Sequence, residues 1–168
     1  MFLPISLLFV GAVLVLNGLW MSGRISDREI VVINFATAAI TATVAAVSLV
    51  RATTGDEIRS VALTLLFSAT YLWVAVNRLN GADGRGLGWF SLFVSLSVLP
   101  QAFLALASAA KFIDIWLGIC WLIWSGLWFM YFVTLTLKKP VQDQTAVATL
   151  LSGVLTAWLP ALFLMYGA

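Results

Sequence analysis

Six apolar stretches, each long enough to cross a bilayer and none carrying a charge at its middle, constrain this chain more than any other feature. A spanning helix needs about 20 predominantly apolar residues to traverse a hydrocarbon core of about 30 Å. Polar punctuation places such spans near 3–22, 30–50, 60–79, 88–108, 112–135 and 145–166. Between them lie GRISDRE, RATTGDEIR, NRLNGADGRG, SAAKFID and KKPVQDQ, with the Gly, Asp, Asn, Arg and Lys expected where a chain meets water. In lipid the backbone must satisfy its own hydrogen bonds, so segments of this kind are helical. The expected fold is an all-α integral membrane protein: a single domain over 1–168, with six transmembrane helices in a bundle.

Composition supports that reading. Of 168 residues, 62% are hydrophobic and 10% charged, against about a quarter charged in a soluble domain. The net charge of +2 resides in scattered connector residues, which gives nucleic acid nothing to bind. Residues 1–4 lack a basic n-region and no small-residue cleavage site precedes Arg24, so the first segment reads as a span rather than a signal peptide. Cys120 lies in an apolar run and reads as an ordinary small residue.

Basic residues orient the bundle. The first, third and fifth connectors hold Arg24, Arg28, Arg78, Arg85, Lys138 and Lys139, and the other two hold Arg51, Arg59 and Lys111. The positive-inside bias puts the odd connectors in the cytoplasm and both termini outside. The strings LLFVG from Leu7, LLFSA from Leu65 and LIWSG from Leu122 recur at spacings of 58 and 57 residues. They suggest three tandem helical hairpins about an axis along the membrane normal. Hairpins of equal length would also bring similar apolar strings into register by chance.

No Asp, Glu, Lys, Arg or His falls mid-span, and the chain contains no His. Pumps, proton-coupled carriers and voltage sensors depend on intramembrane ionisable groups, and metal or hydrolytic sites need His, Cys or carboxylate clusters. The composition disfavours an enzyme, a metal centre and ion coupling. A passive path for neutral solutes, a small-solute carrier with alternating access and a non-conducting structural subunit all remain.

Tryptophan usually collects at the membrane interfaces, yet Trp73, Trp124 and Trp158 fall near mid-span, with Trp121 and Trp128 one turn either side of Trp124. At about 100° per residue, positions 121, 124 and 128 share a narrow arc of one helix face. This indole ladder is either helix–helix packing or the wall of a slot that suits a planar amide. Asn17, Asn34 and Asn77 lie near the ends of their spans on the side of the odd connectors. They read as a polar mouth for a hydrogen-bonding solute or as ties between helix ends. Pro100 and Pro160 are expected to bend spans four and six.

The strings TYLWVAVN from Thr70, GWFSLFV from Gly88, IWSGLWF from Ile123 and LTAWLPALFL from Leu155, with Asn17-Gly18 and Asn34-Phe35, resemble the AmiS/UreI family of urea and short-chain amide channels. The resemblance spans essentially the whole chain. It implies a six-helix protomer with its own pore, a homohexameric ring in a bacterial plasma (inner) membrane, and passive conduction of urea or short-chain aliphatic amides without a cofactor. On that basis Leu3, Leu7, Val10 and Leu14 form an aliphatic constriction, and Ala69 and Trp73 occupy positions where other members carry aromatic rings. Trp121, Trp124, Leu127 and Trp128 fall on the family's tryptophan-rich pore face. Ser152 stands where acid-gated members carry an acidic residue, and the second and fourth connectors are short and free of histidine. Both departures point to the constitutive amide-uptake branch, which would feed a cytoplasmic amidase or urease.

Overall fold

The computed structural model describes residues 2–167, so the outermost residues of the expected domain, 1 and 168, lie outside the described residues. The first five spans are single helices: α1 (Leu3–Met21), α2 (Asp27–Arg51), α3 (Gly55–Asn80), α4 (Arg85–Ala107) and α5 (Phe112–Leu135). The sixth comprises α6 (Gln142–Ser152), a π-helical turn over Gly153–Trp158, and α7 (Leu159–Tyr166). All six are long and apolar enough to cross a membrane, and no strand occurs among the described residues.

Several helices begin in charged turns rather than at the first apolar residue, because those turns cap the backbone. Ser26 and Glu29 form a reciprocal capping box at α2, and Thr54 and Glu57 do the same at α3. At α5 the Asp114 carboxylate accepts from the N–H groups of Ala110 and Lys111 (3.1 and 2.9 Å). Acidic groups placed there also meet the positive end of the helix dipole.

Packing is most extensive between α2 and α3, between α4 and α5, and between α1 and the sixth span. These pairs are one helix out of step with hairpins formed as one–two, three–four and five–six. Small residues explain the shift. Thr41 of α2 and Ser68 of α3 share a 2.7 Å hydroxyl hydrogen bond, and Ser95 of α4 exchanges hydrogen bonds with Ser125 of α5 (2.8 and 2.9 Å). α1 crosses the sixth span at Gly11 and Gly153. A Cβ on Gly11 would sit 2.8 Å from the Trp158 nitrogen, and one on Gly153 would sit 2.7 Å from the Val15 nitrogen. Such close backbone approach is how membrane helices gain contact without a hydrophobic driving force.

The π turn follows from Pro160. In that register the Leu159 N–H bonds the Val154 carbonyl, so the next bond in the series, from residue 160 to Leu155, has no donor. The Leu155 carbonyl instead accepts the indole N–H of Trp116 (3.0 Å). Pro100 lies inside α4 without dividing it into separate helices.

Candidate functional site

Two cavities enter the bundle from opposite ends. The larger, about 480 Å³, opens among the first, third and fifth connectors and narrows inward to Leu14, Thr70, Tyr71 and Trp128. The smaller, about 340 Å³, lies between α1, α2 and α3 near the second connector and reaches Leu3, Ser6, Val61 and Thr64. Leu7, Val10, Phe67 and Trp124 line neither cavity and are 3–6% exposed. Between Ser6 and Leu14 the seal is about 12 Å deep along α1, and between Thr64 and Thr70 it is about 9 Å deep along α3.

The seal is built around Phe67. Its ring stacks on Trp128 (centroids 4.8 Å apart, 25° between planes), meets Trp124 edge-on (5.4 Å, 89°) and lies 5.8 Å from Trp121. The tryptophan ladder is thus one wall of an aromatic cluster contributed by α3 and α5. Its buried donors are engaged: Trp124 donates to Thr156 Oγ1 (2.7 Å) and Trp128 to Thr70 Oγ1 (3.3 Å). A buried indole N–H without an acceptor would be costly. Bonding these two sideways leaves their apolar rings to form the barrier.

α5 and the sixth span are joined by further hydroxyls. Thr134 pairs with Thr145 (2.9 Å) and Tyr131 with Thr149 (2.7 Å). Ser152 is buried one turn before Thr156 and accepts that residue's hydroxyl at its carbonyl (2.6 Å). Leu127 is buried in the helix core and lines neither cavity.

The three amides separate. Asn17 and Asn77 line the larger cavity, whereas Asn34 does not. Asn34 instead pairs reciprocally with Asn17 (2.7 and 3.3 Å) and donates to the Ile30 carbonyl (3.0 Å). Around the rim, Lys138 donates to the Asp83 carbonyl (2.9 Å), Gln142 to the Met21 carbonyl (3.2 Å) and Trp20 to Asp27 (2.7 Å). Ionisable side chains border the cavity mouth and are absent from the seal.

Two expected positions on α3 face elsewhere. Trp73 is 38% exposed, tilts against Phe90 at 5.5 Å and lines neither cavity. Ala69 is half-buried and also lines neither. Each lies two residues beyond an inward aromatic residue, Phe67 or Tyr71, and two residues turn a helix by about 200°. The inward aromatics of α3 are therefore Phe67 and Tyr71. Trp158 also has an exposed side chain, while its backbone packs on Gly11.

A six-helix membrane bundle with a cavity of mixed polar and apolar lining on either side of an uncharged aromatic seal belongs to the class of polytopic membrane transport proteins. A family model described as "AmiS/UreI family transporter" matches residues 2–168, and the chain belongs to that family. It is 39% identical over 169 residues to a Mycolicibacterium smegmatis protein described as a putative amidate substrates transporter, covering 97% of this chain and 76% of the relative. It is 31% identical to an acid-activated urea channel of Helicobacter pylori, with 95% of each chain covered. Two solved structures of Helicobacter pylori urea channels match the fold: a crystal structure of the urea channel (TM-score 0.85, 31% identity, 98% of each chain) and a cryo-electron microscopy structure in a closed state (TM-score 0.88, 32% identity, 97% of each chain).

Proposed function

We propose that the protein is a passive channel for small uncharged amides, urea and acetamide among them, with the path inside each protomer. The seal carries this reading: Leu7, Val10, Phe67 and Trp124 offer a planar solute ring faces and alkyl groups. A hydrated ion would lose its water there with no charge or carbonyl ring to replace it. The description of the Mycolicibacterium relative favours amides, and the Helicobacter relatives favour urea. Leu3 lies at one mouth of the path, and Leu14, Asn17 and Asn77 lie at the other. On α3 the path runs past Phe67 and Tyr71 rather than Ala69 and Trp73.

Protomers assemble as a homohexamer in the bacterial inner membrane, with both termini outside and the larger cavity facing the cytoplasm. Support comes from the distribution of basic residues and from the likeness to the urea channel structures. Uptake into proteoliposomes tests the mode of transport. Acetamide flux that stays linear at high concentration fits a channel, and saturating flux fits alternating access. Trp124→Ala is expected to change permeability or solute discrimination. If Thr41→Ala changes them and Trp124→Ala does not, the path lies elsewhere.

A further inference from the structure

We propose that Asn77 is the residue that recognises the solute's amide group, as the centre of a hydrogen-bonding station inside the larger cavity on the way to the seal. The proposal rests on the amide-channel reading above and deepens it.

Asn77 is 6% exposed and lines the larger cavity. Its side chain makes no hydrogen bond among the described residues, although its backbone carbonyl accepts from the Ala82 N–H (3.1 Å). A carboxamide carries two donors and an acceptor with two lone pairs, and burying it unpaired is unfavourable. The group therefore takes its partners from whatever occupies the cavity. Tyr71 adds a second unfilled valence, because its hydroxyl is buried without a partner and the residue lines the same cavity.

Asn17 lines the cavity as well, in a different condition. Its carboxamide is held by Asn34 in a two-way donor–acceptor pair, and Asn34 is fixed in turn by the Ile30 carbonyl. This immobilises Asn17 while leaving it one N–H and one lone pair outside the pair. The station thus combines one preset carboxamide, Asn17, whose facing edge is taken by Asn34, with one uncommitted carboxamide, Asn77, which offers a donor and an acceptor side by side. The edge of a primary amide or of urea presents the same pattern.

The position gives the station its effect. About 10 Å further along α3 the cavity ends at Thr70 and Tyr71, and beyond them the path meets Phe67 and Trp124 beside Trp128, with the N–H groups of both tryptophans already engaged. A solute crossing from this cavity exchanges hydrogen bonds with Asn77 before it reaches the seal, so part of the compensation for shed water is set here. An amide can exchange donor and acceptor together with one carboxamide, which a diol of the same size cannot do through a planar edge.

The test compares acetamide with ethylene glycol, a size-matched solute, by stopped-flow light scattering of proteoliposomes. Asn77→Leu keeps the bulk and removes the hydrogen bonds. It is expected to lower the acetamide-to-ethylene-glycol permeability ratio about three- to tenfold, the loss of one hydrogen bond, and Asn77→Gln should recover part of it. Should Asn77→Leu fail to insert, Asn77→Ala is read in its place. An unchanged ratio in a variant that still conducts overturns this proposal and leaves the channel reading intact. A wild-type protein that carries no amide above empty vesicles overturns both.

Discussion

The ring of Phe67 lies 4.8 Å from that of Trp128, inclined at 25°, and so closes α3 onto α5 at the inner end of the larger cavity. The same phenyl ring also touches Trp121 and Trp124. Phe67→Ala should widen the barrier and raise the permeability to propionamide relative to urea, measured by vesicle light scattering. An unchanged ratio would place the size-limiting section away from Phe67.

The bond from Trp116 to the Leu155 carbonyl predicts an energetic coupling. Trp116→Phe leaves that carbonyl without its donor, at a cost of about 1–3 kcal/mol. Pro160→Ala restores a backbone N–H at the missing position, so Trp116→Phe should cost less in that background. Thermal unfolding in detergent of the two single variants and the double variant measures the difference. Additive effects would contradict the account of the π turn.

Close approach at Gly11 and Gly153 predicts a sharp contrast between glycines. Gly11→Leu or Gly153→Leu must separate α1 from the sixth span, because even a Cβ would fall within 3.0 Å of neighbouring backbone. Gly126→Ala meets nothing within 4 Å and, lying inside α5, should raise stability by about 0.5–1 kcal/mol rather than lower it. The monodisperse fraction after extraction reads this directly. Equal yields for all three variants would argue against the crossing.

The absence of histidine predicts a flat pH response. Histidine is the side chain whose ordinary pKa lies between pH 5 and 8, and the chain contains none. Urea flux into proteoliposomes at pH 5 and at pH 7.5 should agree within error, unlike that of a channel activated by acid. A steep rise at either pH would require a switch built from other groups.

The six helices were legible because spanning a bilayer demands a long apolar run, and such runs stand out in a chain with charges confined to the turns. The ladder of Trp121, Trp124 and Trp128 was legible for a similar reason, since one helix face imposes its own spacing. Phe67 was not. A lone phenylalanine in an apolar run looks the same on every face, and its role depends on how α3 is turned toward α5. Ala69 and Trp73, the positions expected to line the path, lie about 200° around α3 from Phe67 and Tyr71. Pairing of α1 with the sixth span was hidden because it joins the two ends of the sequence, although Gly11, Gly18 and Gly153 mark it. Pro160 announced a disturbance in the last span, and only the structure shows that a π turn and the Trp116 indole resolve it.

The most direct measurement is stopped-flow light scattering of proteoliposomes subjected to inward gradients of urea, acetamide and sodium chloride, with folding and insertion verified independently. A passive amide path should give fast re-swelling with urea and acetamide, no re-swelling with the salt, and amide flux proportional to the gradient. Re-swelling no faster than that of empty vesicles, or passage of salt alongside the amides, would contradict a seal made to pass small uncharged amides.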